Sequence, residues 1–294
     1  MAVERIGVVG LGAMGAGIAQ VAIEAGFEVV GREVTADLGE TAAGRIGHFL
    51  ARKAEKGQRT QDERDAAIAR LVTTTELADL AGCDLVIEAI VEELDAKRAL
   101  FAELERICRV DAVLASNTSA LSVTEIAAAT ASPDRVVGMH FFNPAPLMPL
   151  VEVVRAQLSS DEAVAAALAV VESLGKVAVP CHDTPGFVVN RVLIPLLNDC
   201  VRVLDEARVT PEGLDAAMTN GAGWPMGPCT LLDLVGIDVH VHASEALYEK
   251  LREPRMAPPP SRRDPASSRS SSPASWSATC GTPPAGRSGT SARR

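Results

Sequence analysis

Arg5-Ile6-Gly7-Val8-Val9-Gly10-Leu11-Gly12-Ala13-Met14-Gly15 places three spaced glycines at the end of an apolar run. Arg5 to Gly10 is a short apolar run that stops at glycine. A helical segment from Ala13 to Ala25 follows at once, and Phe27 to Glu33 reads as a second strand. A strand, a helix and a strand within about 30 residues is the setting in which Gly-x-Gly-x-x-Gly holds a dinucleotide. Gly10 permits the tight turn, Gly12 lets the backbone approach a pyrophosphate, and Gly15 lets the helix pack close to the strand. The amides around Leu11, Ala13 and Met14 then face the phosphates, and the helix dipole favours their negative charge. Glu33 closes the second strand, 23 residues after Gly10. A carboxylate there accepts hydrogen bonds from the ribose hydroxyls and repels a 2′-phosphate, which favours NAD. Arg32 beside it can pair with that phosphate, so NADP stays open as a second cofactor.

Outward from this unit the alternation continues. Helices are expected over Leu38 to Lys56, Asp62 to Arg70, Glu93 to Ile107, from about Ser122, and over Asp161 to Leu174. Strands are expected at Asp84 to Ala89, Ala112 to Ser116, Val136 to Met139, Pro149 to Val154 and Lys176 to Val179. Strands alternating with helices imply an α/β fold, a Rossmann-type and mostly parallel sheet, over residues 1–183. Ligands of such sheets sit beyond the carboxyl ends of strands. Ser116 to Ser119 and His140 to Asn143 both follow strands, so both are expected at that crevice.

Thr184-Pro185-Gly186 breaks the pattern. Apolar helices over Phe187 to Glu206, Pro211 to Asn220 and Leu231 to Leu251 suggest a small all-α domain, 184–253, suited to packing against a partner subunit. From Pro254 to Arg294 the chain turns rich in Pro, Ser, Arg, Gly and Ala, with seven Arg, no Lys and one acid, Asp264. A segment of that composition buries too little apolar surface to offset its ordering entropy, so a disordered tail is expected over 254–294.

The bulk properties exclude several classes. The net charge of −10 argues against a nucleic-acid surface. The six cysteines show no Cys-x-x-Cys spacing and no accompanying His cluster, so neither a metal site nor a disulfide framework is expected. No apolar run is long enough to span a bilayer, since Asn190 and Arg191 interrupt the longest one. A reduced cytoplasmic protein without membrane contact is the expectation.

Chemistry concentrates in a second stretch, Gly138-Met139-His140-Phe141-Phe142-Asn143-Pro144. An imidazole in an apolar setting is a base that works near neutral pH. Glu152, in an apolar strand, is costly to bury without a partner, which favours a paired role. Together with Gly10-x-Gly-x-x-Gly, the chain resembles the 3-hydroxyacyl-CoA dehydrogenase family, closest to the bacterial 3-hydroxybutyryl-CoA dehydrogenases. The matching stretches are Gly10–Ala19, Glu88-Ala-Ile-Val-Glu-Glu93, Ser116-Asn-Thr-Ser-Ala-Leu121, His140-Phe-Phe-Asn-Pro144, Val151–Val154 and Pro185-Gly-Phe-Val-Val-Asn-Arg191.

The resemblance implies NAD-linked oxidation of a short-chain L-3-hydroxyacyl-CoA to the 3-ketoacyl-CoA, or the reverse, by a homodimer. It implies His140 as acid/base, Glu152 as its partner, and Ser119 and Asn190 on the reacting oxygen. Glu92, Lys97, Ser119 and Asn143 would line the nicotinamide half of the cofactor site, and Lys56 would meet coenzyme A. Plainer readings stand beside these. Ser119 can cap the helix that follows it, Asn190 can bridge helices, and Lys56 can be a solvated lysine. His48, His182, His240 and His242 match no family site. The family's closing Gly-Arg-Lys segment is missing after Pro259, and the Arg/Pro/Ser/Ala bias predicts a shifted reading frame near Pro260. Two other functions compete: a dehydrogenase of free 3-hydroxy acids, which typically uses a catalytic lysine, and a non-catalytic dinucleotide-binding or structural protein.

Overall fold

A computed structural model of the chain describes residues 3–259. The chain divides into two compact units, Met1–Val189 and Asn190–Arg294.

The first unit holds strands β1 (Arg5–Val9), β2 (Glu28–Arg32), β3 (Leu71–Thr74), β4 (Leu85–Glu88), β5 (Val113–Ser116), β6 (Val136–Phe141), β7 (Leu150–Arg155) and β8 (Val177–His182). They form one sheet in the order β3-β2-β1-β4-β5-β6-β7-β8. Only the β6–β7 pair is antiparallel. Helices α1 (Ala13–Glu24), α2 (Ala36–Glu55), α3 (Gln61–Ile68), α4 (Leu94–Ile107), α5 (Val123–Ala127) and α6 (Asp161–Ser173) cover it. The mostly parallel α/β architecture is the one the sequence predicts.

Successive residues of a strand point to opposite faces, and the core divides accordingly. Ile6, Val8, Leu85 and Ile87 pack with Ile18, Ile23 and Ile46 in one cluster. Val9, Val86 and Leu114 pack with Phe101, Leu104 and Ile126 in another. Both faces of β4 and β5 are buried, hence their continuous apolar runs. Burying each such Ile or Leu side chain stabilises the fold by about 1.5–3 kcal/mol. The helices are started by side chains: Thr35 accepts from the Leu38 amide, Thr60 and Glu63 form a capping box, and Ser160 accepts from Ala163. α5 is capped by Ser122.

Strand β3 departs from the sequence expectation, which has no strand there. It is four residues long, lies at the sheet edge and is only half-buried, so it carries no apolar period.

The second unit comprises α7, which begins at the junction (Val189–Ala207), α8 (Pro211–Gly221), α9 (Pro228–Val235), α10 (Ile237–Leu251) and a 3-10 turn at Pro254–Met256. The single helix expected over Leu231 to Leu251 is two helices. Gly236 sits at φ 97°, in the left-handed region that ends a helix, and separates α9 from α10. The expected disordered tail does not begin at Pro254. Met256 packs with Ile194 and Leu247, and the Asn198 side-chain amide donates to the Arg255 and Met256 carbonyls at 3.2 Å each. The rest of that tail and the expected frame shift near Pro260 lie outside the described residues. Among the described residues no helix is long and apolar enough to cross a membrane.

Candidate active site

β1, β4, β5 and β6 run parallel, so Gly10, Glu88, Ser116 and His140 all stand at the carboxyl edge of one sheet. Gly10 turns the chain at φ 87°, and a Cβ there would stand 2.8 Å from the Ala89 carbonyl oxygen. A Cβ on Gly15 would stand 1.7 Å from the Gly10 oxygen, so no side chain fits. Gly12 differs: a Cβ there meets no protein atom within 4 Å. It is also the N-cap of α1 and provides no side-chain cap. The helix start is thus open to an outside acceptor, as a pyrophosphate requires. Glu33 turns its carboxylate to this loop, accepting from the Leu11 amide at 2.7 Å and from Val34 at 2.9 Å. Each oxygen keeps a further lone pair for a hydroxyl donor. Arg32 donates from Nε to the Thr75 carbonyl at 3.1 Å. The residues present fit a dinucleotide.

His140 and Glu152 face each other across the antiparallel β6–β7 register. Directly opposite residues place their side chains on the same face. The His140 Nδ1 to Glu152 Oε2 distance is 2.7 Å, and both residues are buried. Glu152 Oε1 accepts from the Val189 and Val188 amides at 2.8 and 3.0 Å. Burial pushes the Glu152 carboxyl up, but the His140 hydrogen bond and the two amides outweigh it, and the group lies below the usual carboxylate range. A carboxylate only accepts, so Nδ1 carries the proton and Nε2 is the nitrogen available for exchange. Phe142 and Phe187 flank the imidazole, with ring centroids 4.5 and 5.7 Å away. Phe187 is held at φ 47°, a costly backbone conformation for a bulky residue.

A second group gathers where β4 and β5 end. Glu92 Oε1 accepts from Thr118 Oγ1 at 2.6 Å and from the Ser119 amide at 2.9 Å. Lys97 Nζ lies 3.2 Å from Glu92 and 2.5 Å from Glu88. Lys97 is 1% exposed and is a buried ion-pair partner of both acids. Burial raises the Glu92 carboxyl, but Lys97, Thr118 and the Ser119 amide together bring it below the ordinary range. Glu88, Thr118 and Phe187 are absent from the sequence-based site. Glu88 carried a signal, an acid closing a wholly apolar strand. Ser119 caps no helix.

A third group lines a groove of about 560 Å³ whose walls include Ala13, Phe49, Arg52, Lys56, Asn143 and Pro144. It brings Lys56 and Asn143 to the helix that follows the glycine turn. Asn190 is the second residue of α7 and the first of the second unit. No group of three or more His, Cys, Asp or Glu that could hold a metal occurs among the described residues.

This arrangement has known counterparts. Residues 5–184 match the model of the 3-hydroxyacyl-CoA dehydrogenase NAD binding domain, and residues 186–269 match that of the 3-hydroxyacyl-CoA dehydrogenase C-terminal domain. A 3-hydroxybutyryl-CoA dehydrogenase of Mycobacterium tuberculosis is 46% identical over 88% of this chain and 91% of its own length. One from Bradyrhizobium diazoefficiens is 42% identical over 88% of each. The crystal structure of (S)-3-hydroxybutyryl-CoA dehydrogenase from Ralstonia eutropha superposes with a TM-score of 0.85 at 37% identity, covering 87% of this chain and 91% of that one.

Proposed function

The chain belongs to the 3-hydroxyacyl-CoA dehydrogenase family, and from that premise we propose that it oxidises a short-chain L-3-hydroxyacyl-CoA to the 3-ketoacyl-CoA with NAD, or runs the reverse reduction. The observation that carries the reading is the buried His140–Glu152 pair at the carboxyl edge of the sheet whose first strand ends in the glycine turn.

Oxidising a secondary alcohol removes a proton from oxygen and a hydride from carbon. NAD, when bound, supplies the acceptor for the hydride. His140 Nε2 takes the hydroxyl proton in oxidation and returns it in reduction. Glu152 holds the ring in the tautomer that can do this and stabilises the imidazolium that results. Proton transfer positioned in this way contributes about 10²- to 10⁴-fold in rate. Ser119 donates to the reacting oxygen, an interaction that strengthens as charge develops there. Asn190 is given the same oxygen by the family likeness alone. Gly10, Leu11, Gly12, Ala13, Met14 and Gly15 seat the pyrophosphate, and Glu33 receives the ribose hydroxyls. The Glu33 carboxylate at the glycine loop, which repels a 2′-phosphate, supports NAD over NADP. Glu92 and Asn143 line the nicotinamide half, with Lys97 acting through Glu92. Lys56 and the basic wall of the groove suit the phosphates of coenzyme A.

A homodimer is part of the same reading, supported by exposed Val192, Leu234 and Val239 on α7, α9 and α10. The cytoplasm is proposed as the compartment; Cys83, Cys108, Cys181, Cys200 and Cys229 are free thiols. The test is NADH consumption with acetoacetyl-CoA beside free acetoacetate. Turnover of the thioester alone is expected. Equal turnover of the free acid overturns the substrate class, and NADH binding without turnover overturns the enzyme reading.

A further inference from the structure

Lys97, the cation at the carboxyl end of β4, is shared by two carboxylates. Its Nζ is 2.5 Å from Glu88 and 3.2 Å from Glu92. Every other contact described for these two acids is a neutral donor. Glu88 accepts from the Ile90 amide and from Ser116 Oγ at 2.7 Å each. Glu92 accepts from Thr118 Oγ1 and the Ser119 amide. Such donors hold both groups as acceptors but cancel no charge. One negative charge is therefore left over. It is set in a part of the fold where Glu88 is wholly buried and the field is weakly screened.

The cluster adjoins the glycine turn. Glu88 stands opposite Val9 in the β1–β4 register, the Ala89 amide donates to the Val9 carbonyl at 2.8 Å, and Gly10 closes on Ala89. Resting on the NAD reading above, we propose that the Glu88–Lys97–Glu92 cluster sets the redox-state preference of the cofactor site, its surplus negative charge favouring the cationic oxidised nicotinamide over the neutral reduced one. Glu88 acts through its field, since a side chain with no exposed surface touches no ligand.

The experiment measures dissociation constants of NAD and of NADH, without acyl-CoA, by isothermal titration calorimetry. It uses the native protein, Glu88→Gln and Glu92→Gln, with thermal melts to establish folding. Each substitution removes the surplus charge. The ratio Kd(NAD)/Kd(NADH) is expected to rise roughly three- to tenfold in both variants, the effect of one charge across a partly buried site. A merely structural role moves both constants together, and an unchanged ratio in a folded variant overturns the proposal. So does a ratio that moves in Glu92→Gln but not in folded Glu88→Gln, because that marks a local contact. Should Glu88→Gln not fold, Glu92→Asp stands in for it: Glu92→Asp keeps the charge and shifts the contact, so it must hold the native ratio while Glu92→Gln raises it, and a ratio that rises equally in both overturns the proposal. Failure of the native protein to bind either form sinks the dinucleotide reading itself, a different result from an unmoved ratio.

Discussion

Replacing Glu152 by glutamine keeps the volume and removes the charge, and the structure sets the consequence. Glu152 accepts three hydrogen bonds, from His140 Nδ1 at 2.7 Å, Val189 N at 2.8 Å and Val188 N at 3.0 Å. Glutamine has one carbonyl oxygen for these three donors, and its amide nitrogen can only donate. If the oxygen stays with the two backbone amides, the NH2 faces Nδ1. The ring must then carry its proton on Nε2, and it can no longer take one from the substrate. If the oxygen turns to Nδ1 instead, two backbone amides lose their acceptor, at about 1–3 kcal/mol each. The first arrangement is the less costly, so the loss falls on chemistry more than on stability. We expect kcat to drop about 10²- to 10⁴-fold. Stability should fall by only about 1–3 kcal/mol, and NADH affinity should hold. Glu152→Ala strands all three donors and should cost about 3–9 kcal/mol in addition to activity. Initial rates with saturating acetoacetyl-CoA, read beside urea unfolding, separate the two effects. A glutamine variant with native kcat would show that the Glu152 charge does not set the His140 tautomer.

Other outcomes follow from single features. Gly12→Ala meets no protein atom and should melt like the native chain while NADH binding weakens by about tenfold or more, a loss of at least about 1.4 kcal/mol. Gly15→Ala clashes with the Gly10 carbonyl and should lower the melting temperature sharply; equal melting of the two variants contradicts the turn geometry. Lys97→Met strands the buried Glu88 carboxylate, and urea unfolding should show a loss of about 3–5 kcal/mol. A loss under about 1 kcal/mol, the scale of exposed pairs, is the contrary result. The Glu152 carboxyl is depressed in the folded state, so its stabilisation is present above the unfolded value near 4.3 and is lost as pH falls through the folded one. The urea midpoint of the native chain should therefore fall below about pH 4.5 more steeply than that of Glu152→Gln. Parallel acid limbs would argue against the pairing.

How far the molecule can be read from its sequence depends on whether a feature is local. The β1–α1–β2 unit is legible because glycine spacing, apolar runs and the closing Glu33 all lie within one short segment. The edge strand β3 is not, because its four residues, three half-buried and Val72 exposed, carry no period and their pairing comes from β2. Gly236 reads as one small residue in an apolar helix, and only its positive φ reveals a break. His140 and Glu152 each stand out singly. That they meet depends on the antiparallel register of β6 and β7, which alternation alone does not specify. The burial of Lys97 is not legible, because lysines are seldom buried and only the fold brings two acids to it. The left-handed Phe187 beside the imidazole leaves no trace in composition at all.

The proposed activity turns on one imidazole, that of His140. The most direct measurement is the rate of NADH loss with acetoacetyl-CoA for the native chain and for His140→Gln, with NADH affinity determined on both. Native turnover that falls about 10²-fold or more in the variant, at unchanged NADH affinity, is the predicted result. A variant that turns over like the native chain would contradict it.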